Sequence, residues 1–198
     1  MDIEKDAEGR DAIEAGFVPE KRIAFQHDAG VAVEIIYTSA MLAQLRSPDA
    51  EVLQAAAMVY NDWLHEFCSY DSRRLVPIAV VPMHDTAWAV SELDRNLAHG
   101  FRGAMINLGA PVGRPAYRDS IYDSFWARAA EAETPITLLS GSGGFDDPFH
   151  FATDAERAEG PGVLLSGYNE IMVVLANDFI FGGILDRFAA LKLVCSEF

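Results

Sequence analysis

Five short β-like runs, each separated from the next by a longer helical pattern, constrain this chain more than anything else in it. They span 31–37 (VAVEIIY), 75–81 (LVPIAVV), 101–108 (FRGAMINL), 135–139 (PITLL) and 191–195 (LKLVC). Their near-continuous apolar character is the mark of parallel strands buried on both faces. Glu34, inside the first run, is the exception. Over 48–69, Val52, Leu53, Ala56, Val59, Trp63, Leu64 and Phe67 form the i, i+3, i+4, i+7 stripe of an amphipathic helix. Asp85 predicts an N-cap and Gly100 a C′ glycine for a helix with Val90, Leu93 and Leu97 on its inner face. A helix is expected over 120–132, with Ile121, Phe125, Trp126 and Ala129 inward. Another is expected over 162–178, carrying Ile171, Val174 and Leu175, and a helical turn at 184–188. The interval 140–160 reads as loop. Strands alternating with helices predict βα units and an α/β fold with a parallel sheet. An open doubly wound sheet and a (β/α) barrel both fit, and no glycine fingerprint follows the first run to mark a dinucleotide site.

At 198 residues, 51% hydrophobic and 23% charged, the chain suits one domain with a large core. Its net charge is −15 and no stretch is basic, so it offers no grip on nucleic-acid phosphates or anionic membrane surfaces. No apolar run reaches the ~18 residues of a membrane helix. Met1 is followed by acids rather than by a basic and then apolar leader. These features imply a cytoplasmic protein. Residues 1–20 carry seven of the acids against Lys5 and Arg10, and read as a solvated lead-in to a domain over 21–198. Cys68 and Cys195 stand in apolar runs with no disulfide or metal spacing, and read as buried free thiols.

Active sites of parallel α/β folds lie at the carboxyl ends of the strands. Here those ends hold Tyr37, Thr38 and Ser39, then His84 and Asp85, then Asn107, then Ser140 and Gly141, then Ser196 and Glu197. Asn107 and Ser140 at this rim are read as substrate contacts. Of the five histidines, His27, His65, His99 and His150 read as structural or solvated, with His99 placed to complement a helix C-terminus. His84 differs, because a His–Asp pair with Asp85 at a strand end can serve as general acid or base. Asp85 is also the expected helix cap. Neither H-x-H, H-E-x-x-H nor C-x-x-C occurs, so spacing argues for no metal site. The run SGSGGFDDP at 140–148 lacks a lysine, and Asp146 and Asp147 follow its glycines at once and would repel a phosphate, so it reads as a plain loop. It also lacks the G-x-S-x-G of a nucleophile elbow.

Several phrases in order carry a resemblance. VYNDWLHEFCSYDSRRLVPIAVVPMHD (59–85) and AVSELDRNLAHGFR (89–102), then the Y-D-x-x-W of Tyr122 to Trp126 and FGGILDRFAALKLV (181–194), resemble the amidohydrolase-related family. That group includes aminocarboxymuconate-semialdehyde decarboxylase-like enzymes. The resemblance covers about residues 20–198. It implies a (β/α)8 barrel with a divalent metal, zinc being the expected one, at its carboxyl-end mouth. It also implies hydrolysis or decarboxylation of a small carboxylated or cyclic organic substrate. The implied ligands are an H-x-H after the first strand, His residues after the fifth and sixth, and an Asp after the eighth.

Set on that pattern, 31–37 is the family's second strand and 191–195 its sixth, which implies an incomplete barrel of strands two to six. Leu139 falls where the fifth-strand His belongs and Glu197 where the sixth-strand His belongs. Glu197 is therefore the one residue carried over, as ligand or general base; it and His84 are the catalytic residues expected here. The resemblance implies that the chain alone is inactive. The alternative is a non-catalytic domain that associates through exposed strand edges, as a homo-oligomer or with another chain. Arg102 and Arg114 could meet a substrate carboxylate or be surface charges.

Overall fold

The computed structural model describes residues 13–42, 44–142 and 170–197. Residues 1–12 of the acidic lead-in, His150 and most of the expected 140–160 loop lie outside these, as does the first half of the 162–178 helix. The strands are β1 (Glu34–Ile36), β2 (Leu75–Pro77), β3 (Ala79–Val80), β4 (Ala104–Ile106), β5 (Ile136–Leu139) and β6 (Leu193–Ser196). The α-helices lying wholly within the described residues are α1 (Pro19–Asp28), α2 (Ala50–Ser69), α3 (Thr86–Ala98), α4 (Asp123–Glu131) and α5 (Ile184–Arg187), and a π-helix, Leu175–Ile180, stands where the end of the 162–178 helix is expected. All pairings are parallel, in the orders β1-β2 and β3-β4-β5-β6. Each strand falls on one of the five sequence runs, with β2 and β3 sharing the second and β6 extending one residue past the last. This is the alternation of a partial (β/α)8 barrel.

The break between β2 and β3 has a local cause. Pro77 has no N–H to give β4, so that ladder starts only at Ala79, whose N–H meets the Gly103 carbonyl at 3.0 Å. On the other edge, Ile78 N–H still reaches the Ile36 carbonyl at 3.2 Å. Beyond Ile36 the chain leaves the sheet, and Val80 loses its strand neighbour. Asn61 of α2 takes that place. Its Nδ2 donates to the Val80 carbonyl and its Oδ1 accepts the Val80 N–H, both at 2.9 Å.

Asn61 is held in turn by a carboxylate. Its Nδ2 donates to Glu92 Oε1 at 2.8 Å, and Asn96 Nδ2 donates to the same oxygen at 2.7 Å. Arg95 adds a bidentate pair, Nε to Oε2 at 2.8 Å and Nη2 to Oε1 at 2.7 Å, and also bonds Asp62. Glu92 is only 3% exposed. Burial opposes its charge, but the hydrogen bonds from Arg95, Asn61 and Asn96, with the Arg95 charge, hold its carboxyl below the ordinary carboxylate value.

The sheet curves. Val80, Met105, Thr137 and Val194 lie in register on one face. Tyr37, just past β1, reaches across that face to put its hydroxyl 3.2 Å from Thr137 Oγ1. This face is closed at its centre, where Val80, Met105 and Thr137 are buried, and open at its flanks, where Ile35 is 60% exposed. The convex face packs Ala79, Ala104, Ile106, Ile136 and Leu138 against Leu93, Phe125, Trp126 and Ala129. Glu34 points to α1, accepting from Arg22 Nε at 2.6 Å and Gln26 Nε2 at 2.7 Å, which explains an acid inside an apolar run.

Three helical expectations shift. In α2 the buried positions are Leu53, Ala57, Asn61, Leu64, Phe67 and Cys68, while Val52 and Val59 are exposed. The apolar arc is wider than the sheet-facing stripe, and Ala56, Val59 and Trp63 line a groove beside it. In α3 the fully buried face includes Glu92 and Asn96, and Val90 and Leu97 sit at its margin. At 120–132 a 3-10 turn, Ser120–Tyr122, precedes α4, burying Tyr122 and leaving Ile121 exposed. Asp85 and Gly100 hold as expected. Asp85 Oδ1 accepts the Trp88 N–H at 3.0 Å, and Gly100 has φ +87°.

Asn61→Ala leaves both Val80 backbone groups buried without partners and is expected to cost about 2–4 kcal/mol, read from urea unfolding. Because the Glu92 carboxyl is depressed in the native state, its contribution is complete above the ordinary carboxylate range. It is lost as pH falls through the native value. Glu92→Gln is expected to lower stability at neutral pH and to flatten the acid limb of the stability–pH curve.

Candidate active site at the carboxyl ends of the strands

The strand ends bring the expected rim to one face. Tyr37 and Thr38 follow β1, His84 lies four residues past Val80, Asn107 directly follows β4, Ser140 follows β5 and Glu197 follows β6. Asn107 is fully buried. Its Oδ1 accepts the Met83 N–H at 3.0 Å and its Nδ2 donates to the Leu45 carbonyl at 2.7 Å. Its own carbonyl accepts from the Tyr117 hydroxyl at 2.7 Å. It thereby ties together the segment leading to His84, the 3-10 turn Gln44–Arg46 and the loop after β4.

His84 is half-buried, and its Nδ1 is sequestered with no hydrogen-bond partner among the described residues. Burial pushes the imidazole below the ordinary histidine value. A backbone hydrogen bond with Ser47 opposes the shift, and the nearby Arg114 charge adds to it. The proposed pairing with Asp85 does not form, because the Asp85 carboxylate caps α3 through the Trp88 N–H.

Ser140 is half-buried, its N–H 3.4 Å from the Ser196 carbonyl. Gly141 follows at φ +80°, and Ser142 is buried with its Oγ donating to the Leu139 carbonyl at 2.7 Å. Glu197 is exposed and has φ +60°, a left-handed conformation uncommon for a residue with a Cβ. The chain therefore turns sharply just past β6. The rim thus collects a half-buried imidazole, a hydroxyl and a carboxylate from separate strands. Leu139 is 4% exposed, packed in the barrel-side cluster with Met41 and Met105.

A metal finds little here. Among the described residues, His, Cys, Asp and Glu form no group of three or more able to hold an ion. Of the described rim carboxylates, Asp85 is committed to the α3 cap and Glu197 stands exposed, and Leu139 offers no donor. The side chains described do not fit the metal centre that the resemblance implies.

Sequence reasoning missed two groupings. Asn61, Glu92 and Asn96 form the buried network above, for which a polar residue in line with an apolar helical stripe is the available signal. His65 and His99 stack with ring centroids 4.6 Å apart. Each lies within about a turn of the C-terminal end of a helix in consecutive βα units. Cys68 and Cys195 are both free, the first buried and the second half-buried.

Parallel βα units rolled toward a barrel, with a polar rim at the strand carboxyl ends, define an α/β-barrel scaffold. The amidohydrolase family model matches residues 14–198, and the chain belongs to that family. A γ-resorcylate decarboxylase from Polaromonas is 25% identical over 203 residues, covering 91% of this chain and 60% of that one. A 5-carboxyvanillate decarboxylase from Novosphingobium aromaticivorans, solved with manganese, superposes with TM-score 0.73 at 19% identity, covering 96% of this chain and 53% of that one. A dihydroxybenzoic acid decarboxylase from Polaromonas, solved with manganese and 2-nitroresorcinol, gives TM-score 0.70 at 21% identity, covering 88% and 53%. The chain spans about half the length of these solved relatives. They also correct the expectation of zinc: the metal in these relatives is manganese. Zinc is only what the family resemblance implies, and no feature of the described residues selects it.

With its native value depressed, His84 favours the neutral form, so the fold is expected to lose stability as pH falls below the ordinary histidine value of 6.5. NMR titration of the His84 imidazole is expected to give a midpoint below that value, and His84→Gln to remove that part of the pH dependence. Asn107→Ala, which strands the Met83 N–H and the Leu45 carbonyl, is expected to cost about 2–4 kcal/mol, read by thermal unfolding.

Proposed function

We propose that residues 21–198, behind an acidic lead-in over 1–20, supply the middle strands of an amidohydrolase-type barrel. The barrel acts on a small carboxylated aromatic or cyclic substrate, by decarboxylation or hydrolysis. The observation that carries this reading is the convergence of His84, Ser140 and Glu197 on the strand-end face of a chain in the amidohydrolase family. The decarboxylases of hydroxybenzoates among its relatives support a substrate that combines a ring with a carboxylate. In this reading His84 and Glu197 exchange protons with the substrate and Ser140 contacts it, while Asn107, fully buried with its carboxamide spent on Met83 and Leu45, holds the rim in shape instead of making the substrate contact expected of it. The partner is a small molecule rather than a nucleic acid, and the two free thiols suit a reducing cytoplasm.

The donor set described here does not assemble a metal centre, so the 198-residue chain by itself is inactive in this reading. Equilibrium dialysis against manganese and a CO2-release assay with 2,6-dihydroxybenzoate check it. Neither stoichiometric manganese nor turnover is expected from this chain, and stoichiometric binding would overturn the assignment. In a barrel completed by the further strands, Glu197→Gln is expected to lower turnover without lowering stability; unchanged turnover removes Glu197 from the site.

A second reading rests on a separate observation. An apolar groove of about 950 Å³ runs between β1 and α2, lined by Phe17, Ile36, Val59, Tyr60, Trp63 and Phe67. Val59 is 71% exposed there, and contiguous apolar surface of this kind marks association. In this reading the chain acts by self-association, and Val59→Asp is expected to reduce the mass seen in sedimentation. A wild-type monomer across the concentration range removes it.

A further inference from the structure

A second cleft, of about 350 Å³, opens at the amino ends of the strands, on the face opposite the rim. The C-terminal ends of α2 and α3 wall it with His65 and His99. Val76 and Pro77 form its floor, and Arg102, just before β4, closes one side. We propose that this cleft binds a small oxyanion, a phosphate or a carboxylate, on Arg102, His65, His99 and Ser72. The inference does not depend on what happens at the other face.

Charge is the first argument. The chain carries a net −15, yet no Asp or Glu lines this cleft. Arg102 is exposed, and among the arginines with described side chains it alone has a guanidinium with no hydrogen bond or ion pair to a described residue. Arg22 meets Glu34, Arg73 meets Asp71 and Arg74 donates to the Val31 carbonyl. Arg95 holds Glu92, Arg114 bonds Tyr122, and Arg118, Arg128 and Arg187 pair with Asp178, Asp94 and Asp123. An unshared guanidinium in so acidic a chain offers planar, charge-assisted donors to an anion.

The imidazoles supply the second argument. The rings of His65 and His99 stack at 4.6 Å and 27°, with no ring nitrogen bonded to a described residue. Both therefore keep N–H donors for a ligand in the cleft. Ser72 keeps its hydroxyl, whereas Ser69 spends its own on the Glu66 carbonyl at 2.6 Å.

Competing negative groups are muted. A helix C-terminus ordinarily repels anions through its unpaired carbonyls. At the end of α3 the carbonyls of Arg95, Asn96 and Leu97 are taken by the N–H groups of His99, Gly100 and Phe101. Cys68 lines the cleft as a neutral thiol, burial having pushed it up to about 12.

Isothermal titration of the 198-residue chain with inorganic phosphate, and separately with malonate, tests the proposal. Saturable binding of either is expected, the tighter of the two identifying the ligand as phosphate-type or carboxylate-type. Arg102→Ala and His99→Gln, both at exposed positions, are each expected to weaken it roughly ten- to a hundredfold. Arg73→Ala, an exposed arginine outside the cleft, is expected to leave it unchanged. Absence of binding by both anions overturns the proposal. So does an equal loss from Arg73→Ala, because that pattern means diffuse attraction rather than a site.

Discussion

The fold turns on one backbone vacancy. Val80 stands where β1 has already left the sheet, so its N–H and carbonyl need partners that no strand provides. The Asn61 carboxamide matches both groups at once, and a buried Glu92, charged and held by Arg95 and Asn96, fixes that carboxamide in place. A charge so deeply buried is tolerated only because each oxygen is hydrogen-bonded and one partner is ionic. With Val80 satisfied from the helix side, the chain leaving β3 can run on to Met83 and His84. The chain after β1 can meanwhile cross the concave face, where Tyr37 meets Thr137.

The two faces of the sheet then acquire different chemistry. At the carboxyl ends, Asn107 joins three segments and leaves His84, Ser140 and Glu197 at the rim. At the amino ends, the helices finish at one level because consecutive βα units are parallel. That geometry brings His65 and His99 together across 34 residues of sequence. The same repeat that places a polar rim at one face thus also creates a second cleft on its underside, lined by Arg102 and the two histidines.

Much of this was legible in the sequence for identifiable reasons. All five strand runs appear because strands buried on both faces must be apolar at nearly every position, and Pro77 and Gly100 act through their own backbones. Asp85 was legible as a cap because capping is local. The orientation of α2 was not, since Val52 and Val59 are as apolar as Leu53 and Leu64. Only the position of the neighbouring strands decides which of them the sheet covers. Among the site residues, His84 was marked by its place at a strand end. Its separation from Asp85 follows from a competition between a helix N-terminus and an imidazole that the linear order does not rank.

By itself, the sequence determined the α/β class, the number and order of the βα units described, the family, and which residues reach the strand ends. These depend on periodicity and on local backbone chemistry. The tertiary structure decided that Glu92 is buried and charged, that Asn61 serves as a substitute strand, and that the two histidines stack. It also decided that Asn107 is locked in the core and that Leu139 packs inward at the end of β5. Each of these depends on groups far apart in the chain being desolvated together, and the strength and direction of a polar contact are set only once water has been excluded around it.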